Sequence, residues 1–129
     1  MNILLIEPDK VLAKTYSRLL KGRGDRVAVA NTAQQAVIKA DNSKPDLVIL
    51  ELQLVSHSGI EFLYEFRSYP DWQKIPVIIN SSVPAIEFIG SSNGLSGELS
   101  ITRYLYKPNT SLRQLLRAVE EINAQYEAA

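Results

Sequence analysis

The sequence predicts an α/β domain in which helices flank a doubly wound, five-stranded parallel sheet. Short apolar runs alternate with amphipathic segments along all 129 residues, which is typical of repeated βα units around a parallel sheet. The hydrophobic content of 46% is enough for a chain of this length to bury one core. No composition shift or linker divides the chain, so we expect a single domain over residues 1–129.

Five strands are predicted from short runs of β-branched residues and leucine. They are expected at residues 2–6, 26–30, 47–51, 76–80 and 102–106. Right-handed crossovers between consecutive strands place helices on both faces of the sheet. The third strand ends in a carboxylate, Glu51, and ligands of open α/β sheets bind just beyond the carboxyl ends of strands. Glu51 is therefore the first candidate for a functional residue.

Four regular helices are predicted at residues 10–21, 32–41, 59–68 and 111–125. Their period of apolar residues is that of a helix with one buried face. The expected apolar stripes comprise Val11, Leu12, Tyr16, Leu19 and Leu20 in the first helix, Ile60, Leu63 and Phe66 in the third, and Leu112, Leu115, Leu116, Val119 and Ile122 in the last. Because the last helix runs almost to the final residue, we expect no output domain.

The segment 83–101 departs from this regularity. It contains three of the six glycines together with several serines, which disfavours a long helix. We expect the fourth helix to be short or irregular, from about residue 84 to residue 89, followed by a mobile loop. The loop over residues 90–100 is expected to order only when a partner binds.

Composition excludes several classes of function. A formal net charge of zero gives no general attraction to nucleic acids or membranes, and the absence of cysteine excludes disulfides and thiolate metal sites. The apolar runs are too short to cross a bilayer, and the N-terminus lacks the features of a signal peptide. We expect a cytoplasmic protein that binds neither nucleic acid nor membrane.

One helix face is basic in spite of the neutral total. Lys10, Lys14, Arg18 and Lys21 follow helical spacing on the first helix. Such a face is commonly only solvated, and a docking surface for an acidic protein is a better functional reading than nucleic-acid contact, because no aromatic residues interleave the cations. The lone histidine, His57, is expected to be solvent-exposed in the loop after Glu51.

Four local motifs stand at the ends of predicted strands. They read NILLIEPD at residues 2–9, PDLVILELQLVSHSG at 45–59, IPVIINSS at 75–82 and YLYKP at 104–108. In this order, over essentially the whole chain, they resemble the receiver domain of bacterial two-component response regulators, which has a flavodoxin-like fold. The resemblance implies a signalling domain and not an enzyme.

The resemblance also implies a role for each motif. In receivers a strand-end aspartate is phosphorylated, acidic residues after the first strand help to hold a divalent cation, a hydroxyl and a lysine grip the phosphoryl oxygens, and an aromatic residue reports the switch. By position, Glu51 is the phosphoacceptor equivalent, Ser81 and Lys107 grip the phosphate, and Tyr104 is the switch aromatic.

Two departures from the family pattern fall at the chemistry. Glu51 replaces the acceptor aspartate, and its extra methylene moves the carboxylate by more than about 1 Å, which can cost on the order of a hundredfold where in-line geometry is required. Pro8 takes the second acidic position, so a metal site of Glu7, Asp9 and Glu51 is expected to be weak or relict. No cofactor is expected beyond weakly bound Mg²⁺.

Simpler roles compete with some of these assignments. Asp9 suits the N-cap of the first helix, where a side-chain oxygen accepts backbone hydrogen bonds. Tyr104 suits core or surface packing, and Ser81 and Ser82 could only terminate a strand. Lys107 is expected to form an ion pair with Glu51, either directly or through one water, because the two residues end strands at one edge of the sheet.

Three hypotheses about function remain open at this point. In the first, a stand-alone pseudo-receiver acts by protein interaction, because the Glu51 charge imitates part of a phosphorylated state or holds one conformation. In the second, a competent receiver is phosphorylated on Glu51 or a neighbour with Mg²⁺. The third, a flavodoxin-like flavin binder, is disfavoured because Glu7-Pro8-Asp9 supplies acids and no cradle of backbone donors. The expected partner is a signalling protein, such as a histidine kinase or an output protein, and the chain is expected to be a monomer or weak homodimer.

Overall fold

The structure, a computed structural model, describes residues 1–55, 58–91 and 99–128. Strands and helices alternate along the chain: β1 (Asn2–Ile6), α1 (Lys10–Gly22), β2 (Arg26–Ala30), α2 (Ala33–Asn42), β3 (Leu47–Leu50), α3 (Gly59–Ser68), β4 (Val77–Ser81), α4 (Ala85–Ser91), β5 (Arg103–Tyr106) and α5 (Leu112–Ala128). Two single turns of 3-10 helix, at Pro70–Trp72 and Lys107–Asn109, were not predicted.

The five strands form one parallel sheet in the order β2-β1-β3-β4-β5. The register aligns their carboxyl ends, since Ile6 of β1 lies opposite Ala30 of β2 and Leu50 of β3. This topology confirms the predicted doubly wound, flavodoxin-like fold. It also brings the residues that follow β1, β3, β4 and β5 to one edge of the sheet.

Each face of the sheet has its own core. One core packs α1 and α5 against β1 and β3 through residues such as Leu20, Leu115 and Val119. The other core packs α2, α3 and α4 against the opposite face, and its largest buried side chains are Phe62, Phe66 and Phe88. Every residue of β3 is apolar, because helices cover both faces of that strand.

The predicted boundaries of strands and helices lie within three residues of the observed ones, and those of β1, β2 and α3 agree at both ends. β3 ends at Leu50, so Glu51 lies just after the strand, and β4 begins and ends one residue later than expected. α5 continues to Ala128, beyond the predicted end. The prediction that Val11 belongs to a buried stripe was wrong: its side chain is 74% exposed. Val11 lies at the margin of the apolar face, where Ala13 and Ser17 are buried in its place.

The predicted fourth helix is present as α4, which has seven residues and continues to Ser91. The expectation that residues 90–100 form a mobile loop concerns mainly residues 92–98, which lie outside the described residues. His57 also lies outside them. No helix in the described part of the chain is long and apolar enough to cross a membrane.

Local contacts hold the loops that follow β1 and β3, which carry the acidic residues Glu7, Asp9 and Glu51. The Asp9 carboxylate caps α1 by accepting hydrogen bonds from the backbone N–H groups of Val11 and Leu12, at 2.9 and 3.0 Å. Gly59, the first residue of α3, packs directly on the end of β3. A Cβ atom at Gly59 would lie 2.7 Å from the Leu52 Cα and 3.0 Å from the Glu51 carbonyl oxygen. The turn after Glu51 therefore requires glycine at this position.

Candidate functional site

The candidate site lies at the carboxyl edge of the sheet. Glu7 follows β1, Glu51 follows β3, Ser81 ends β4 and Lys107 follows β5. β1, β3 and β4 are consecutive neighbours, so their terminal side chains meet without any long-range adjustment of loops. Lys107 reaches the group from the far side of β4 because its side chain is long enough to span the intervening strand.

Lys107 joins two buried carboxylates. Its Nζ atom lies 2.7 Å from Glu51 Oε1 and 2.6 Å from Glu7 Oε1. The exposed fraction of the side chain is 4% for Glu51, 2% for Glu7 and 16% for Lys107. The direct Glu51–Lys107 contact predicted from the sequence is confirmed, whereas the second bond of Lys107, to Glu7, was not predicted.

The Glu51 carboxylate is also surrounded by neutral donors. The Ser81 hydroxyl donates to Oε2 in a short hydrogen bond, and the Gln53 N–H donates to the same oxygen at 3.1 Å. On the other oxygen, Oε1, the Ser82 N–H donates at 3.1 Å beside the Lys107 ammonium. Each carboxylate oxygen therefore accepts at least two hydrogen bonds.

Gln53 and Ser82 were not identified as site residues from the sequence. Besides their backbone contacts with Glu51, their side chains meet each other, since the Ser82 hydroxyl donates to Gln53 Oε1 at 2.7 Å. The sequence signal that could have identified them is position: each stands one or two residues beyond a site residue at a strand end. Both residues come from loops that only the fold brings together.

The electrostatics of the three charged groups follow from burial and pairing. Burial alone would raise the pKa of Glu51, but the hydrogen bonds from Lys107 and Ser81 outweigh it and hold that pKa below its usual range. Burial dominates at Glu7 and raises its pKa, although Lys107 opposes this. Burial would lower the pKa of Lys107, but its bonds to Glu51 and Glu7 raise it. At neutral pH, Glu51 and Lys107 are charged.

The acids do not form the metal site that the resemblance suggested. The Asp9 carboxylate is engaged in capping α1, Pro8 offers no side-chain oxygen, and the ammonium of Lys107 lies between Glu7 and Glu51. No group of three or more histidine, aspartate or glutamate side chains in the described ranges has a geometry suited to a metal ion. These residues therefore do not fit an octahedral Mg²⁺ site.

Tyr104 lies next to this cluster, on β5. Its hydroxyl donates a short hydrogen bond to the Val83 carbonyl oxygen, and the Val83 N–H donates to Ser81 Oγ at 3.0 Å. The ring packs on Phe88 of α4, with 5.7 Å between ring centroids. Burial and the Glu51 charge raise the pKa of Tyr104 to about 12, so the hydroxyl remains protonated. A continuous chain of contacts thus leads from Glu51 through Ser81 and Val83 to Tyr104.

Comparison with known sequences gives a consistent match. The family model described as "Response regulator receiver domain" matches residues 3–120. The KDP operon transcriptional regulatory protein KdpE of Escherichia coli K12 is 37% identical over 81 residues, which cover 63% of this chain and 35% of KdpE. A gliding motility regulatory protein of Myxococcus xanthus is 26% identical over 122 residues, covering 95% of this chain and 15% of that protein. The matched region spans well under half the length of either relative.

Comparison with solved structures identifies the same fold. A response regulator receiver domain protein (CheY-like) from Methanospirillum hungatei JF-1 has a TM-score of 0.83 at 21% identity, covering 99% of this chain and 98% of that one. A two-component response regulator from Clostridium difficile has a TM-score of 0.83 at 23% identity and covers 98% of both chains. At these identities the likeness concerns the fold alone.

Proposed function

Because this chain belongs to the response regulator receiver domain family, we propose that it is a signalling domain that acts by protein interaction and that Glu51 is not a conventional phosphoacceptor. Receiver domains interact with histidine kinases and output domains, and they are generally not enzymes. The proposal keeps these family properties and the expected cytoplasmic location. The proposed domain differs from a conventional receiver in one respect: the Glu51 carboxylate, and not a phosphoryl group, sets its conformation.

One observation carries the proposal: the Glu51 carboxylate already occupies the donors that the family resemblance assigns to a phosphoryl group. The Ser81 hydroxyl and the Lys107 ammonium both bind it directly. An incoming phosphoryl group would have to displace these donors from a carboxylate that is 4% exposed. The extra methylene of glutamate also displaces the nucleophile by more than about 1 Å, a misplacement that costs on the order of a hundredfold.

The chemistry of the metal site supports the same conclusion. Phosphoryl transfer to a carboxylate needs a cation that neutralises the developing charge on the phosphoryl oxygens. Here the cation between Glu7 and Glu51 is the ammonium of Lys107, and the described acids do not fit a divalent ion. The domain would then hold a fixed state in which a carboxylate stands in for part of a phosphorylated aspartate.

The contacts from Glu51 to Tyr104 suggest where a partner would read this state. The Ser81–Val83–Tyr104 chain ends at Phe88 of α4, and Tyr104 itself is on β5. We therefore assign the reading surface to α4, β5 and α5. Because these contacts link Glu51 to β5 and α4, a substitution at Glu51 should shift backbone amide resonances at Val83 and Tyr104.

The decisive experiment is incubation with acetyl phosphate and Mg²⁺, followed by measurement of the intact mass. We expect no phosphorylated species for the natural sequence. The double variant Pro8→Asp/Glu51→Asp serves as the positive control, because it supplies the acceptor and the missing acid, and it should gain one phosphoryl group. A gain of one phosphoryl group by the natural protein would refute the proposal in favour of a competent receiver that uses Glu51 or a neighbouring residue.

A further inference from the structure

Arg67, on α3, is a buried cation that the proposed site does not use. Its guanidinium donates hydrogen bonds to four backbone carbonyl oxygens: from Nε to Leu99 at 2.9 Å, from Nη1 to Trp72 at 2.8 Å and to Gln73 at 3.0 Å, and from Nη2 to Ser100 at 3.0 Å. A guanidinium has five N–H groups, so these bonds leave one N–H of Nη2 available. Because Arg67 is only 8% exposed, water reaches little of this group.

The charge of Arg67 has no anionic partner in the part of the chain that the structure describes. None of the ion pairs between described residues includes Arg67, and its four carbonyl acceptors carry no net charge. Burial lowers the pKa of Arg67, and no carboxylate of the described residues opposes that shift. Because arginine stays protonated in proteins, the fold retains a buried positive charge that a bound anion would compensate.

A cavity of about 440 Å³ lies beside Arg67. Its lining residues are Tyr64, Arg67, Ser68, Gln73 and Leu99. Leu99 is buried and supplies an apolar wall, the ring of Tyr64 is 43% exposed, and the exposed Gln73 carboxamide supplies N–H donors. A cavity of this size and composition is suited to a small molecule, because ligand pockets combine mainly apolar walls with a few polar groups that fix orientation.

The cavity is remote from the Glu51 cluster. α3 begins at Gly59, which packs on the backbone beside Glu51, and Arg67 follows eight residues later, about 12 Å along the helix at 1.5 Å per residue. Gln73 precedes β4 and Leu99 precedes β5, so the cavity lies at the amino edge of the sheet. The Glu51 cluster lies at the opposite, carboxyl edge.

We propose that this cavity is a binding site for a small organic carboxylate with an aromatic or aliphatic body. The carboxylate would accept hydrogen bonds from the available Nη2 N–H of Arg67 and from the Gln73 carboxamide. The body of the ligand would lie between Leu99 and the Tyr64 ring. A neutral ligand of the same shape would leave the buried charge uncompensated, so negative charge should determine the selectivity. The cavity forms without Glu51, and the phosphodonor experiment therefore does not bear on it.

The test uses phenylacetate and its neutral analogue phenylacetamide as probes, at constant ionic strength. Binding is followed by ¹H–¹⁵N correlation spectra, which include the Nε–H group of Arg67. With phenylacetate we expect saturable shifts of this group and of the backbone amides of Gln73, Leu99 and Ser100. Phenylacetamide should bind at least about tenfold more weakly. Saturating phenylacetate should also raise the melting temperature, because it binds the folded state.

Variants at exposed residues test the cavity without removing Arg67, whose loss would leave four carbonyl oxygens without their donor. Gln73→Glu places a carboxylate in the cavity wall, where it repels the ligand and competes for Arg67, and it should weaken phenylacetate binding about tenfold or more. Gln125→Glu, at an exposed residue of α5, changes the net charge equally and should leave binding within about twofold. Tyr64→Ser should weaken binding, whereas Tyr126→Ser, at a residue that is 54% exposed on α5, should not. An unchanged melting temperature verifies that each variant is folded.

Four results would overturn the proposal. The first is the absence of saturable shifts at the cavity with phenylacetate. The second is equal binding of phenylacetamide, which would mean that the charge of Arg67 has only a structural role. The third is equal weakening by Gln73→Glu and Gln125→Glu, which would mean a general effect of net charge. The fourth is tighter binding of inorganic phosphate than of phenylacetate, which would assign the cavity to inorganic anions.

Discussion

At the scale of single residues, Lys107 determines whether the candidate site is stable. It is the cation shared by two carboxylates that are 2% and 4% exposed, and in the described structure no other cation contacts them. Removing one partner of a buried ion pair leaves an uncompensated charge, whereas an exposed pair contributes little. The loss of Lys107 should therefore lower the free energy of unfolding much more than the loss of an exposed ion pair does.

We predict that Lys107→Met lowers the free energy of unfolding by about 3 to 5 kcal/mol, because two adjacent buried carboxylates lose their counter-charge. Glu51→Gln should cost less, about 1 to 2 kcal/mol, since the Glu7–Lys107 pair remains and mainly hydrogen bonds change. Arg103→Met is the control: it removes the exposed pair with Glu121, worth less than about 1 kcal/mol. Urea unfolding at pH 7 measures all three. Equal costs for Lys107→Met and Arg103→Met would contradict the buried cluster.

The contributions of Glu51 and Glu7 to the free energy of unfolding should depend on pH in opposite directions. The folded pKa of Glu51 is lowered, so its stabilisation is present above the unfolded value of 4.5 and is lost as pH falls through the folded pKa. The folded pKa of Glu7 is raised, so its contribution is present below 4.5 and is lost as pH rises through the folded pKa. Relative to the natural protein, Glu51→Gln should therefore become less stable as pH rises from acid to neutral, and Glu7→Gln should become more stable.

Urea unfolding across pH 3 to 8, a range of about five units around these carboxyl pKa values, measures both differences. The double variant Glu7→Gln/Glu51→Gln serves as the reference without either titration. Parallel curves for the two single variants would mean that Lys107 does not distinguish the two carboxylates.

At the scale of elements, the junction between β3 and α3 positions Glu51. Its geometry depends on Gly59, whose backbone N–H donates to the Leu52 carbonyl at 2.7 Å. The capping box of α3, in which Ser58 and Glu61 exchange hydrogen bonds, ends the loop at the same point. The helix start and the strand end are therefore in direct contact, and any added side-chain atom must separate them.

We predict that Gly59→Ala destabilises the protein by about 1 to 3 kcal/mol, because the new Cβ would overlap backbone atoms that cannot rotate away. The matched control is Gly22→Ala at the end of α1, where no atom lies within 4 Å of the added Cβ. That substitution should be neutral or stabilising by up to about 1 kcal/mol. Denaturant unfolding of the two variants tests the contrast, and a neutral Gly59→Ala would show that the loop adapts easily.

At the scale of the whole molecule, the response to Mg²⁺ reports whether the cluster can accept a metal. A ligand that binds only the folded state stabilises it by RT ln(1 + [L]/Kd), so Mg²⁺ at a concentration well below Kd contributes less than about 0.4 kcal/mol. We therefore predict that millimolar Mg²⁺ leaves the melting temperature nearly unchanged. Pro8→Asp/Glu51→Asp should show a measurable rise under the same conditions. A rise of several degrees in the natural protein would mean that its metal site is intact.

The sequence alone determined the order of the elements and therefore the fold. Alternation of apolar runs with amphipathic segments depends on local periodicity, so the strands were predicted to within one residue at each end. The strand-end position of Glu51 made it a candidate site residue, because ligands of open α/β sheets bind beyond the strand ends. The resemblance to receiver domains added Ser81 and Lys107 by position. The Glu51–Lys107 contact followed from the strand-end positions of both residues and was confirmed.

The tertiary structure decided what local pattern could not express. Lys107 also binds Glu7, and the backbone N–H groups of Gln53 and Ser82 donate hydrogen bonds to the Glu51 carboxylate. These contacts depend on which groups meet at the edge of the sheet in three dimensions. Val11 is exposed although periodicity assigned it to the core, because burial is set by the position of the sheet relative to the helix. Periodicity predicts which residues share a face, whereas only packing determines how much of that face is covered.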